Sequence, residues 1–114
     1  MQEAIKCLIL TPFDAAGRRI RDTLECVLRE HMVMILGGVE AELSYYGAIV
    51  EALTSQIKDV NFIIADISRM NPNVMYEMGF AHALGKPIIT IAARDSLKMV
   101  PFDLSGRLIL LYDP

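Results

Sequence analysis

The chain has 114 residues, enough for one domain with a real core and too few for two. A hydrophobic content of 54% and a mean hydropathy of +0.38 exclude a disordered chain. The net charge of −3 offers no basic face for nucleic acid, and no apolar run approaches the ~20 residues of a membrane span. The start lacks a signal-peptide pattern, so a cytoplasmic protein with no membrane partner is expected.

Short apolar runs alternate with longer helical patterns. Residues 4–10 read as a strand broken only by Lys6, and residues 14–30 as a helix carrying Ile20, Leu24, Val27 and Leu28 at helical spacing. Residues 32–36 form a second strand stopped by Gly37-Gly38, and residues 43–58 a second helix through Ile49, Leu53 and Ile57. A third strand at 60–67, a helix at 72–84, a fourth strand at 87–93 and a fifth at 107–112 complete the pattern. Strands apolar on both faces and joined by helices predict a parallel sheet covered on both sides. Right-handed crossovers make this a single doubly wound α/β domain, a three-layer sandwich over residues 1–114, with a five-stranded parallel sheet in the order 2-1-3-4-5. The helix that usually closes such a sheet is missing after the fifth strand. Either a longer chain or a partner subunit, as in a homo-oligomer, is expected to cover that face and complete the pocket. Cys7 and Cys26 show no CxxC spacing and read as reduced, buried small hydrophobes.

The third helix is the most informative element. Asn71 is a good N-cap and Pro72 suits the first helical position, while Gly85 and Pro87 end the pattern. Between these limits the segment is almost wholly apolar except for Glu77 and His82. A charge on such a helix is costly unless a site offsets it. Glu77 shares a stripe with Val74, Ala81 and Leu84; the helix dipole favours its ionised form and burial opposes it. A poorly solvated carboxylate suits attack on an anomeric carbon or stabilisation of an oxocarbenium-like transition state. The plainer alternative is a dipole-favoured acid at an exposed rim.

Ligands of open α/β sheets sit beyond the carboxyl ends of the strands, at the switch point between strands 1 and 3. Two polar loops meet there: Thr11-Pro12-Phe13-Asp14 and the stretch from Asp66 to Asn73. Asp66 serves equally well as a loop cap or a functional acid. Asn71 and Asn73 act more often as caps than as ligands. His82 lies roughly 140° around the helix from Glu77 and reads as structural. Lys86 and Arg107 read as solvated charges before phosphate ligands, and Tyr45-Tyr46 either flank the pocket or anchor the second helix. The seven methionines read as core filler, and neither a phosphate-loop motif nor a metal-ligand cluster is visible.

The segment ADISRMNPNVMYEMGFAHALGKPIITIA resembles the signature of the nucleoside 2-deoxyribosyltransferase-like and TIR-like group. In that group a strand ending in Asp leads through an Asn-Pro-Asn-Val turn and a Tyr-Glu-x-Gly helix to Gly-Lys-Pro. Pro101-Phe102-Asp103-Leu104, residues 107–112 and the Thr11-Pro12-Phe13 loop are also similar to it. The chain lacks Trp, and with it the Trp-x-x-x-Glu pattern of the TIR NAD-cleaving enzymes; Glu51 is only a loose match for further acids of the transferases.

The resemblance implies a flavodoxin-like fold and an enzyme that cleaves or exchanges the N-glycosidic bond of a nucleoside, nucleotide or NAD, with no cofactor beyond NAD as substrate and with no metal. It implies that Glu77 is the catalytic nucleophile and that Asp66 contacts the ribose or leaving base. It places Ser68, Asn71 and Asn73 near the sugar and Thr11, Pro12 and Phe13 in the loop that closes the pocket. The alternative is a non-catalytic nucleotide-binding or signalling module of a bacterial defence or sensing system.

Overall fold

The computed structural model describes residues 4–12, 14–36, 46–99 and 108–113, with side chains for all but 46–50 and 97–99. Phe13, Gly37-Gly38, Tyr45, residues 101–104 and Arg107 lie outside the described residues. In chain order the elements are β1 (Lys6–Leu10), α1 (Ala15–Glu30), β2 (Met34–Leu36), α2 (Tyr46–Asp59) and β3 (Phe62–Asp66). They continue with α3 (Pro72–Ala83), β4 (Ile88–Ala93) and β5 (Ile109–Tyr112), and with 3-10 segments at Ser68–Met70 and Arg94–Met99. All four strand pairings are parallel, giving the order β2-β1-β3-β4-β5. This is the flavodoxin-like arrangement expected from the alternating pattern.

The two faces of the sheet follow from the period of two along each strand. Leu8, Leu10 and Ala65 turn to one side, where Leu53 and Ile57 of α2 and Val74, Met78 and Ala81 of α3 close over them. Cys7, Ile9, Ile64 and Ile91 turn to the other, where Ile20, Leu24 and Leu28 of α1 pack. Each fully buried Leu or Ile contributes roughly 1.5–3 kcal/mol, so both layers are needed to hold the sheet. Toward β5 the α1 side is less covered: Ile89 is 41% and Leu110 50% exposed.

Several boundaries differ from the apolar pattern for local reasons. Asp14 is the N-cap of α1 rather than its first residue, accepting a hydrogen bond from the Gly17 N–H at 2.7 Å. β2 begins at Met34, because Met32 takes a left-handed conformation (φ 61°) that reverses the chain after α1. Cys7 is buried as expected, but Cys26 is exposed, because it points away from the Leu24–Leu28 stripe that meets the sheet. Lys86 is half-buried rather than solvated: its Nζ donates to the carbonyls of Val60 at 2.7 Å and Lys58 at 3.4 Å. It joins the end of α3 to the end of α2 at the edge opposite the site. Among the described residues no helix is long and apolar enough to cross a membrane.

Gly17 sets how closely α1 approaches the loop after β1. A Cβ there would lie 1.9 Å from the Pro12 carbonyl oxygen, a backbone atom that cannot step aside. Gly17→Ala should therefore cost at least about 1–3 kcal/mol. Gly79→Ala, in open space on α3, should be neutral or stabilise by up to ~1 kcal/mol. Urea unfolding of the two variants checks the contrast; equal stabilities would mean that the close approach does not matter.

Candidate functional site

The carboxyl ends of β1 and β3 lie at the switch point of the sheet, and the two loops leaving them are tied together. Arg69, after β3, pairs with Asp14, after β1, at 2.7 Å. That pairing and the Gly17 N–H hold the Asp14 carboxyl below its usual range, the backbone bond being the larger cause. Arg69 and Met70 both sit at positive φ (60° and 51°), an arrangement that costs of order 1–3 kcal/mol per residue and must be held by its surroundings.

Asp66 closes β3. It is 2% exposed, and both of its oxygens are bonded: the Ser68 N–H donates to Oδ1 at 2.9 Å and the Tyr112 hydroxyl to Oδ2 at 2.6 Å. Ser68, also buried, accepts from the Ala93 N–H at 2.7 Å, and its hydroxyl lies 3.2 Å from that of Tyr112. The ends of β3, β4 and β5 are thus fastened by one polar cluster. Burial, and next the bond to Asp66, push the Tyr112 hydroxyl up to about 12, so it remains a proton donor.

This cluster forms the floor of a cavity of about 410 Å³ between α1 and the ends of β3, β4 and β5. Ala16 and Ile20 of α1 form one wall, and Arg19, Thr23, Arg69 and Asp95 stand at its rim. Asp66 and Ser68 line it; Glu77 does not.

Glu77 belongs to α3, on the other side of the sheet from α1, and is half-buried. It is the sixth residue of its helix, beyond the first turn in which the dipole acts strongly. Burial rather than the dipole dominates, raising the Glu77 carboxyl above its ordinary value, and the positive charge of Arg21 works against that rise. Arg21 comes from α1. Its Nη2 donates at 2.7 Å to the Ile9 carbonyl, one residue past the last β1 residue paired with β2, and its Nη1 lies 3.7 Å from Glu25. The guanidinium is therefore anchored at the end of β1.

The other expected site residues divide clearly. Asn71 caps α3, its Oδ1 accepting from the N–H groups of Asn73 at 3.0 Å and Val74 at 3.2 Å, so that oxygen is committed to the backbone. The Asn73 side chain is exposed, while Thr11 and Pro12 are buried and Pro12 is pressed against Gly17. Sequence patterns did not single out Arg21, Arg69 or Tyr112. Each acts through contacts far along the chain, although the place of Arg21 one residue after Ile20 and three before Leu24 is a signal that could have found it.

No protein-family model matches the chain, and comparison with curated protein sequences finds no match. Its fold is that of the nucleoside 2-deoxyribosyltransferases. A 2-deoxyribosyltransferase from the psychrotolerant bacterium Bacillus psychrosaccharolyticus matches with a TM-score of 0.70 and 16% identity, over 96% of this chain and 86% of that one. The 2-desoxiribosyltransferase from Leishmania mexicana matches with a TM-score of 0.62 and 22% identity, over 77% of this chain and 64% of that one. This chain thus spans less than two thirds of the Leishmania protein. At these identities the likeness is one of fold.

The raised Glu77 carboxyl has a consequence for stability. Its folded-state pKa exceeds the unfolded one, so its contribution is fully present below the ordinary glutamate value and is lost as pH rises through the folded value. Glu77→Gln should therefore gain stability relative to the parent as pH rises from about 4 to 7. Thermal melts across that range test this; a difference that does not change with pH would contradict it.

Proposed function

We propose that this chain cleaves or exchanges the N-glycosidic bond of a nucleoside, nucleotide or NAD, with Glu77 as the nucleophile. A Glu77 oxygen attacks C1′ of the sugar as the C1′–N bond breaks. The bonding pair leaves with the base. Nicotinamide departs from NAD uncharged and needs no proton, whereas the base of a neutral nucleoside or nucleotide takes one from water. In both cases a glycosyl-enzyme ester remains. Water then gives hydrolysis, and a second base gives exchange.

The observation that carries this reading is a half-buried carboxylate opposed by an anchored arginine at the carboxyl edge of the sheet. Burial leaves the carboxylate poorly solvated and so reactive, while the positive charge of Arg21 favours its ionised form. Support also comes from the fold, which is shared with two deoxyribosyltransferases. Asp66, with both oxygens bonded on the α1 side, acts in this reading as a positioning residue. It fixes the end of β3 and the turn that launches α3. Asn71 does the same for the first turn of that helix.

A second reading, a nucleotide-binding module without turnover, is favoured by one observation: the 410 Å³ cavity does not include Glu77. The two separate on incubation with NAD, ribonucleosides and deoxyribonucleosides, followed by chromatography for free base. The parent should release base, and Glu77→Gln should lose roughly a thousandfold or more of that rate. The rate should rise with pH through the raised Glu77 value, and Arg21→Met should move that acid limb to higher pH. Binding of these compounds without base release would select the module instead. An acid limb that stays in place would remove Arg21 from the account.

A further inference from the structure

β5 is an edge of the sheet with nothing on its free side to discourage a further strand. It pairs with β4 on one side and, among the described residues, with no strand on the other. The N–H and C=O groups along such an edge are a template for another strand, and proteins block them with charge, proline or a bulge. Ile109–Tyr112 contains neither charge nor proline, and its register with Thr90–Ala93 runs one to one, without a bulge. The opposite edge, β2, is shorter, at three residues. By the period of two, Ile109 and Leu111 pack into the α3 layer, while Leu108 and Leu110 share the α1 side with Tyr112. There Leu108 is 83% and Leu110 50% exposed, and continuing the register sets Ile89, also exposed, alongside Leu108.

The strand that fits this edge is apolar along its length and meets the exposed Asp113 with a positive charge. β5 itself, run in the opposite direction, has that order. With Leu110 at the centre, Ile109 stands against Leu111, Leu108 against Tyr112 and, in sequence, Arg107 against Asp113. Antiparallel pairing of two copies therefore sets an apolar residue opposite an apolar one at every position from 108 to 112. The Tyr112 ring is held by its hydroxyl bond to Asp66, so it offers a fixed surface to Leu108 of the second copy. Asp113 pairs with Arg94 at 3.1 Å, but both side chains are exposed; such a pair contributes little and is easily exchanged. A two-fold axis at Leu110 closes the assembly, because each β5 edge is used up by the other.

We infer that two copies of this chain join edge to edge through β5, antiparallel about a two-fold axis at Leu110. The result is one continuous sheet with five strands from each copy and both α1 helices on the same face. The contact does not depend on the chemistry proposed for Glu77.

The test is the mass of the 114-residue protein in solution, by sedimentation and native mass spectrometry. One strand pair is a small interface, so dissociation is expected in the micromolar range, and at about 100 µM the parent should run at twice the mass of one chain. Leu110→Lys and Leu110→Glu each set like charges against each other across the axis. Each alone should weaken the dimer by about tenfold or more, and an equimolar mixture of the two should restore it as one copy of each. Leu108→Asp, at a largely exposed position clear of the core, should weaken it as well. Circular dichroism of the variants should match the parent, and the Leu108 variant separates loss of pairing from any folding defect at 110. A monomeric parent at that concentration, a dimer that survives all three substitutions, or a Lys–Glu mixture that stays monomeric would overturn the assignment.

Discussion

The carboxylate of Asp66 is the constraint on which the working edge of this protein depends. It is buried at the end of β3, and it is tolerated there because a phenol and a backbone amide each give it a hydrogen bond. Through Tyr112 it holds β5, and through Ser68 it reaches the Ala93 amide at the end of β4. Three strand ends that would otherwise fray into separate loops are drawn into one floor. The strained turn at Arg69 and Met70 is bracketed between that floor and the Asp14 pairing. The start of α3 follows directly from it.

Two acids at one edge of a sheet thus have different surroundings. Asp66 is enclosed by donors and lines a cavity under α1. Glu77 is half-buried on the α3 side, where its main counterweight is a single cation lent by α1. A fully paired carboxylate is a poor nucleophile and a good structural anchor, and a partly desolvated one with a nearby cation is the reverse. In the proposed reading, the division of labour between scaffold and chemistry follows from these surroundings rather than from residue type.

Much of the fold was legible because it depends on local rules. Apolar runs such as IIAD and IITIAA mark strands buried on both faces, and their alternation with helices leads to a parallel sheet. Asn71-Pro72 and Gly85 fix α3 closely, since caps and left-handed terminators are short-range devices. Cys26 was misjudged through neglect of helical phase: it lies nearly opposite Leu24 and Leu28. The dipole assigned to Glu77 fades before the sixth residue. Tyr112 and Arg21 were not legible as site residues, because their partners Asp66 and Ile9 lie 46 and 12 residues away. No periodicity encodes such meetings. The non-glycine left-handed turn at Arg69 also runs against propensity, and it is held by contacts distant in sequence, the Asp14 pairing among them.

The amine of Lys86, spent on the carbonyls of Val60 and Lys58, closes the far end of the molecule like a rivet. With Asn71 gripping its first turn, α3 is clamped at both extremities and behaves as a fixed beam. In the proposed reading, adjustment to a bulky substrate falls more readily to α1 and its long arginine arms than to α3. Tolerance for different guests would accordingly be written in the first helix, not in the one that bears the acid.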